Sequence, residues 1–435
     1  MRNPMLETMR EPVEEALRRG QANGAGGTRV AFGQQELTSV TYEAGRLKET
    51  GGRATAGYTV EMLRDGRRAS TYGNRPDKLA AMAARALELT AVGSHAHFTA
   101  WPPRENAVDV PMHAPEVAAF TRDSLIDACR AMSGALLAVD ADLWVQCKAV
   151  CSESLGLLAT SGGVRHETAA TRWNLMAQVQ RTRGDDMLVA YEGRGWRGPA
   201  HFEPEAVVER LAFLLRHAER PARAHSGKTT LFLPPETLAM LLRPVLAGLN
   251  GRHVARGSSP LAGRLGEQVL SPAFTLWDDP HRPYASGAAT RDNDGIPARR
   301  QDLFNRGVPE RFLYDLDTAG LAGAAPTGNA GCAPYDVLVQ PGERDSGALM
   351  ADITDGLYIH DLIGFGQSNI LNGDFSANIG LGYRIENGEL TGRVKNTMIS
   401  GNLYDVLRGG VELSADTCYD GSCPYAVVEG VQVSA

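Results

Sequence analysis

The sequence predicts an α+β protein in which N-terminal sheet-plus-helix units precede a large, mainly antiparallel, barrel-like C-terminal β domain. Its 435 residues are too many for one compact hydrophobic core and indicate two or three domains. The 48 glycines indicate many tight turns and therefore much β-structure. Strand-like and helical runs occur in each of three segments, which we place at residues 1–115, 116–226 and 227–435.

The first segment predicts a helix, two strand-rich runs and a second helix. The first helix covers Leu6–Arg19, with Pro12 inside it as a kink or a late start. Residues 30–52 and 54–73 have the pattern of strands, and Asp65-Gly66 in the second run is a hairpin turn signal. The helix that follows has a stripe of residues at helical spacing, namely Leu79, Met82, Ala83, Ala86 and Thr90.

Two pairs of metal-ligating side chains occur in the N-terminal half. His95 and His97 lie in a linker, residues 93–115, and we interpret them as solvated because no third ligand is near. Cys147 and Cys151 fall in a predicted strand, where residues four apart stand about 13 Å apart and cannot bind one metal. Six cysteines are too few for a disulfide scaffold of this length, so free thiols are expected.

The second segment predicts a sheet enclosed by two helices. Its first helix covers residues 123–139, and its last carries an apolar stripe made of Val207, Val208, Leu211, Leu214 and Leu215. Between them lie strand-like runs separated by glycine turns, at residues 143–151, 155–163, 165–183 and 185–196.

The third segment begins with the short strand TTLFLP, followed by a helix that starts at Pro235 and ends at Asn250-Gly251. Six leucine or valine residues at helical spacing give this helix one apolar face. After Leu270 the pattern changes to short strands and glycine turns, which predicts a twisted, barrel-like sheet.

Charge and hydropathy exclude two classes of partner. The net charge of −7 argues against a nucleic-acid-binding protein, because neutralising phosphates requires a basic face. No apolar run has the length of a membrane span or the form of a signal peptide. We therefore expect a cytoplasmic protein that binds neither nucleic acid nor membrane.

Common catalytic motifs are missing from the sequence. HExxH, a GxSxG elbow and GxxxxGK[ST] do not occur. The acidic pairs Asp278-Asp279 and Asp292/Asp294 could bind Ca²⁺ or act in acid–base catalysis, but we interpret them as turn residues. Cys418 and Cys423 flank a hairpin signal, and we interpret them as structural thiols because no basic residue lies beside them.

The third segment carries long motifs that identify a family. They include GSSPLAGRLGEQVLSPAFTLWDDP at residues 257–280, RDNDGIPARRQDLFNRGVPERFLYDLDTAG at residues 291–320, GDFS and IENGEL. Together they resemble the TldD/PmbA family, the TldD–TldE metalloprotease group. The resemblance covers the chain from Lys228 to its C-terminus, and the two earlier segments fit the family's layout with fewer motifs.

The resemblance also shows what this chain has lost. In the catalytic TldD-type members, the helix before the GSS loop carries HExxxH, whose two histidines hold zinc and whose glutamate is a general base. In this chain Arg243 and Pro244 stand at the His-Glu pair, and Gly248 stands at the second histidine. Arginine is permanently cationic and glycine has no side chain, so neither ligates Zn²⁺. The resemblance therefore implies a TldE/PmbA-type subunit.

A subunit of this type implies a TldD-like metalloprotease partner that supplies the Zn²⁺, a peptide substrate and no cofactor in this chain. The sequence leaves open whether the chain forms a homodimer when the partner is missing. Candidate cavity or peptide-binding residues are His253, Asn369 and the turn formed by Asp374, Phe375 and Ser376. A sheet edge at the cavity would bind peptide by strand addition.

Two alternatives stay open at this point. The catalytic branch has a cysteine ligand near its C-terminus, and Cys418 falls in a similar place. The chain could thus be a self-sufficient amide or peptide hydrolase built from Cys418, His253 and Asp374. It could also be a regulatory binding protein, for example a modulator of a topoisomerase or of a toxin system.

Overall fold

A computed structural model describes residues 4–367 and 369–435. It confirms the α+β class, with an N-terminal antiparallel sheet covered by helices and a C-terminal domain built on a small closed barrel. The N-terminal strands are β1 (Gly27–Glu43), β2 (Arg46–Arg64), β3 (Arg67–Gly73), β4 (Ser94–His95), β5 (Trp144–Thr160), β6 (Arg165–Arg183) and β7 (Asp186–Trp196). The helices beside them are α1 (Pro4–Ala22), α2 (Leu79–Leu89), α3 (Pro115–Ala118), α4 (Arg122–Val139) and α5 (Pro204–His217).

One continuous sheet joins the first two predicted segments. Its strand order is β4-β3-β2-β1-β5-β6-β7, and every pairing is antiparallel. The joint is the β1–β5 pair, in which Gly33 faces Gly156 on one side and Gly57 of β2 on the other. The Asp65-Gly66 hairpin is confirmed, since both residues have positive φ and connect β2 to β3. Residues 30–52, predicted to be strand-rich, contain a second hairpin that was not predicted, because Ala44 and Gly45 also have positive φ.

The helices cover one face of this sheet. Alternate residues of β5, among them Val145, Cys147 and Leu157, point toward the helices and are buried. The predicted stripe of α2 is confirmed at Leu79, Ala83 and Ala86, which are buried. Helix α1 runs through Pro12 without ending, and its residues Leu6, Met9, Val13, Ala16 and Leu17 pack on β1 and β2.

The C-terminal domain is a closed mixed barrel with additional strands and short helices. Its strands are β8 (Gly227–Leu233), β9 (Leu276–Asp278), β10 (Gln301–Asn305), β11 (Val308–Pro309), β12 (Val337–Val339), β13 (Asp355–Ile363), β14 (Asp374–Glu386), β15 (Glu389–Arg393), β16 (Met398–Asn402), β17 (Val411–Thr417) and β18 (Pro424–Ser434). Its helices are α6 (Pro235–Gly248), α7 (Gly251–Ala255), α8 (Leu316–Ala322), α9 (Ser346–Ala351) and α10 (Leu403–Arg408). Short 3-10 helices occur at Pro76–Lys78, Thr90–Val92, Ala330–Cys332 and Ile370–Asn372.

The barrel closes because β13 pairs with β8 on one side and with β14 on the other. The circuit runs β13-β8-β18-β16-β14 and returns to β13, and only the β13–β8 pair is parallel. Strands β9 to β12 form a separate four-stranded sheet beside it. The barrel core contains aliphatic residues from all five strands, such as Leu231, Ile359, Ala377, Ile399 and Val428.

The cysteines are free thiols in the described part of the chain. Cys147 and Cys151 lie on the helix-packed face of β5, four residues apart on one strand, as predicted. Burial raises the pKa of Cys147 to about 12 and that of Cys151 to about 11. Such thiols stay protonated and act as small apolar groups in the core.

Trp173 is the largest fully buried side chain, and its indole N–H donates to the Gly198 carbonyl at 2.6 Å. We expect Trp173→Ala to destabilise the N-terminal sheet by about 3–5 kcal/mol, because it leaves a cavity and an unpaired carbonyl. Calorimetry should show the melting temperature falling by several degrees. Tyr72→Ala, at a side chain that is 75% exposed, is the matched control and should change little. Equal shifts in the two variants would contradict this account of the core.

Candidate functional site

Helix α6 carries the three positions of the HExxxH motif expected in catalytic relatives, two for zinc-binding histidines and one for the general base. The helix begins at Pro235, whose missing N–H costs nothing in the first turn. Its apolar face packs on the barrel, while Arg243 is exposed and Pro244 and Gly248 are buried. The three positions therefore do not share one open surface.

A cavity of about 590 Å³ lies between α6 and the loop that follows β13. Arg243, Pro244 and Ala247 form one wall, and Phe365 and Ile370 belong to the other. The lining is mostly apolar, so a guanidinium is the principal charge at this cavity. A site of this composition favours apolar side chains or an anionic group over a divalent cation.

Gly248 is closed off by its neighbours. A Cβ atom at this position would lie 2.8 Å from the Tyr404 hydroxyl oxygen and 3.0 Å from Leu261 Cδ1. The Gly248 carbonyl accepts a 2.5 Å hydrogen bond from Ser259 Oγ, which holds the helix end in place. An imidazole has no room here, and the Tyr404 hydroxyl that faces the position is buried without a partner. The residues present thus do not fit the zinc site that the family resemblance implies.

The predicted peptide-binding residues lie close to this cavity along the chain, with different exposures. Asn369 is exposed and precedes the 3-10 helix at Ile370–Asn372. Asp374 starts β14 and accepts a 2.9 Å hydrogen bond from Asn402 Nδ2. Phe375 is buried and packs 5.8 Å from Phe365, whereas Ser376 is exposed on the other face of the strand. Phe375 therefore supports the loop wall from inside the barrel.

His253 and Cys418 belong to separate local arrangements. His253 lies in α7, with Nδ1 3.4 Å from the Ser258 hydroxyl oxygen. Cys418 donates from Sγ to Asp420 Oδ1 at 2.9 Å, and burial together with Asp420 raises the pKa of this thiol. Within residues 4–367 and 369–435, no three His, Cys, Asp or Glu side chains form a group that could hold a metal ion. Cys418, His253 and Asp374 are thus not brought together as a metal site.

One member of each acidic pair makes a turn, as interpreted from sequence. The other does not, since Asp278 is buried in β9 and accepts from the Tyr335 and Asp336 N–H groups at 2.9 and 2.8 Å, and Asp294 accepts from the Trp101 indole at 3.1 Å. Asp292 Oδ1 accepts from the backbone N–H groups of Asp294 and Ile296 at 2.9 Å. Asp279 Oδ1 accepts in the same way from the N–H of His281. Of the histidine pair, His95 lies in the edge strand β4 and the other lies beside the Asp317 carboxylate.

A polar cluster that sequence reasoning missed lies where β7, α5, α6 and β13 meet. We call it the junction cluster, and its members are Glu192, Arg210, Glu236, Tyr358 and His360. Arg210 donates to the Tyr358 hydroxyl at 2.8 Å. Burial and the Glu236 carboxylate raise the pKa of Glu192 to about 7. Burial and the Arg210 charge lower the pKa of His360 to about 4, and its Nδ1 has no described partner. No sequence motif predicts this cluster, because its members come from four elements.

Comparison with known proteins places these observations in a family. Residues 226–435 match the model for the PmbA/TldA metallopeptidase C-terminal domain. The chain belongs to the PmbA/TldD metallopeptidase family. The matched region begins just before β8 and contains the whole barrel, α6 and the adjoining loop.

Individual relatives agree with this assignment. A protein from Methanothermobacter thermautotrophicus called "Metalloprotease" is 27% identical over 408 residues, covering 87% of this chain and 86% of its own. The "Metalloprotease TldD homolog" of Haemophilus influenzae is 31% identical over 170 residues, covering 37% of this chain and 35% of its own. The crystal structure of TldE from Thermococcus kodakarensis superposes with a TM-score of 0.90 at 20% identity, covering 98% of this chain and 100% of its own. That likeness shows a common fold. None of the helices that the structure describes is both long and apolar enough to cross a membrane.

We expect Gly248→His to destabilise this PmbA/TldD-family chain by about 2–3 kcal/mol, because the new side chain collides with Tyr404 and Leu261. Denaturant unfolding followed by circular dichroism measures the effect. Gly134→His is the matched control, since Gly134 is exposed in α4 and a Cβ there meets nothing within 4 Å. A Gly248→His variant as stable as this control would mean that the position is open.

The junction cluster should make stability depend on pH. Because the folded state raises the pKa of Glu192 from about 4.5 to about 7, it holds this proton more tightly than the unfolded chain does. The associated stabilisation is complete below about pH 4.5 and is lost as the pH rises toward 7. Between pH 5 and pH 8, the free energy of unfolding of Glu192→Gln should therefore rise relative to that of the wild type, by up to about 3 kcal/mol. Thermal melts across that range test this, with the exposed Glu389→Gln as a control whose difference from wild type stays constant.

Proposed function

We propose that this chain is the non-catalytic, TldE/PmbA-like subunit of a heteromeric zinc metallopeptidase that degrades or trims short or unfolded peptides. In this proposal a TldD-like partner supplies the metal. Family membership supports the peptidase context. The observation that carries the proposal is the closed packing at Gly248, which leaves no room for the second histidine of HExxxH.

The three substituted positions reinforce one another. Restoring a histidine at Arg243 alone would place one imidazole on an exposed surface, with proline beside it where the general base stands in catalytic relatives. A catalytic zinc site needs three protein ligands and an open position. The apolar cavity against Arg243 then has a binding role in the assembled chamber, where it contacts substrate or partner.

A free sheet edge supports peptide as the substrate class. Strand β3 pairs with β2 only from Tyr58 onward, so residues 46–57 of β2 have a neighbour on the β1 side alone. This stretch is rich in glycine, alanine and threonine and is largely exposed. Strand addition to such an edge uses backbone hydrogen bonds and is tolerant of sequence. That tolerance suits an enzyme that handles unfolded chains.

Reconstitution tests the proposal. The purified chain, a TldD-like protein and their mixture are each assayed with an unfolded model peptide, and each is analysed for bound zinc. We expect hydrolysis by the mixture, with the zinc in the TldD-like protein. A triple variant that changes Arg243 to His, Pro244 to Glu and Gly248 to His should still lack stoichiometric zinc, because the site is closed by packing. Zinc-dependent cleavage by the wild-type chain alone, at the rate of the mixture, would refute the proposal.

A further inference from the structure

A second cavity lies far from α6 in sequence, on the face of the N-terminal sheet that the helices leave uncovered. Its volume is about 530 Å³, and it lies between β1, β5 and β6 on one side and residues 288–293 of the C-terminal domain on the other. Ser154, Gly156 and Leu158 line it, alternating with the helix-packed residues of β5. Gly156 faces Gly33 across the β1–β5 pair, and the Thr168 hydroxyl of β6 lies over it, 2.5 Å from where a Cβ of residue 156 would stand.

Two arginines at this cavity lack a carboxylate partner. Arg197 and Arg291 line it, and neither makes an ion pair within 4 Å in the described part of the chain. Among the described residues, the Arg197 guanidinium donates only to the Ser286 carbonyl, at 3.2 Å, and its buried Nε has no partner there. Arg291 donates to the backbone carbonyls of Gly295 and Glu105 at 2.8 and 2.6 Å. Partly buried guanidinium groups without a counter-charge are costly unless a ligand completes them.

A buried acceptor lines the same cavity. Asp292 is 4% exposed, and while its Oδ1 accepts two backbone N–H groups, its Oδ2 has no partner. Burial and the neighbouring Asp294 carboxylate raise the pKa of Asp292 to about 7, as expected of a carboxyl group with one unsatisfied oxygen. The third cation of the lining, Arg29, is already paired with Glu61 at 2.5 Å. The unsatisfied hydrogen-bonding groups at the cavity are therefore donors on Arg197 and an acceptor on Asp292.

We propose that this cavity binds the C-terminal end of a short peptide, with its carboxylate on Arg197 and Arg291 and its last amide N–H donated to Asp292 Oδ2. A free peptide C-terminus presents an anion and an N–H donor on the same residue, which matches these unsatisfied donors and this acceptor. An inorganic anion would satisfy the arginines but carries no amide N–H for Asp292 Oδ2. The inference rests on the proposed peptidase function.

Calorimetric titration of the purified chain with trialanine and with trialanine amide tests this. We expect the free acid to bind at least tenfold more tightly than the amide. Arg197→Gln should abolish that preference, and Arg291→Gln should reduce it, which keeps the test decisive if one variant folds poorly. Arg408→Gln is the charge-matched control, since Arg408 lies in α10, is exposed and does not line the cavity.

Three results would overturn the inference. They are equal affinity for the acid and the amide, an undiminished preference in a folded Arg197→Gln variant, and inorganic phosphate binding as tightly as trialanine. The titration measures binding to the purified chain alone, with neither partner nor hydrolysis. A negative result would therefore leave the proposed peptidase function untouched. Loss of binding with intact hydrolysis by the reconstituted complex would remove only the terminal-carboxylate site. Binding without any hydrolysis by that complex would remove only the peptidase assignment.

Discussion

The parallel pairing of β13 with β8 fixes the layout of the C-terminal domain. Parallel strands end at the same edge of a sheet, so the chain leaves β8 for α6 beside the point at which it leaves β13 for the loop that begins at Gly364. The cavity between α6 and this loop follows from that single pairing. The antiparallel pairs of the barrel then carry β14 and α10 back beneath α6, which brings Tyr404 against Gly248.

The packing at Gly248 determines whether restoring the two histidines could restore a metal site. A site that had merely exchanged its ligands would keep an open cavity at those positions, and restoring the side chains would restore the metal. Here the hydroxyl of Tyr404 and the side chain of Leu261 occupy the space instead. A guanidinium also stands where the family resemblance implies a neutral ligand and a carboxylate. Under the proposed function, such a surface recognises peptide rather than cleaving it.

Local patterns predicted much of this molecule, and long-range geometry supplied the rest. The period of α6, the hairpin at Asp65-Gly66 and the strand spacing after Leu270 were readable because each depends on residues close in sequence. The β1–β5 pairing could not be predicted, because the strands of one continuous sheet and of two separate sheets show the same alternation of apolar and polar residues. The residues that replace the metal site were identified from a family motif, but the closure by Tyr404 was not, since that contact joins residues far apart in the chain. The junction cluster could not be predicted either, because its members are also far apart in the chain.

The unpaired edge of β2 has a consequence for how the protein exists in a cell. Backbone groups that face only water are a template on which any extended chain can assemble, including a second copy of the same strand. Arg53 on this stretch opposes self-assembly by like-charge repulsion, and Gly51-Gly52 weakens it by conformational freedom. An imbalance in synthesis that left this polypeptide in excess would expose many such edges at once. If the partner of the proposed function covers this edge, matched synthesis of the two chains favours solubility as well as activity.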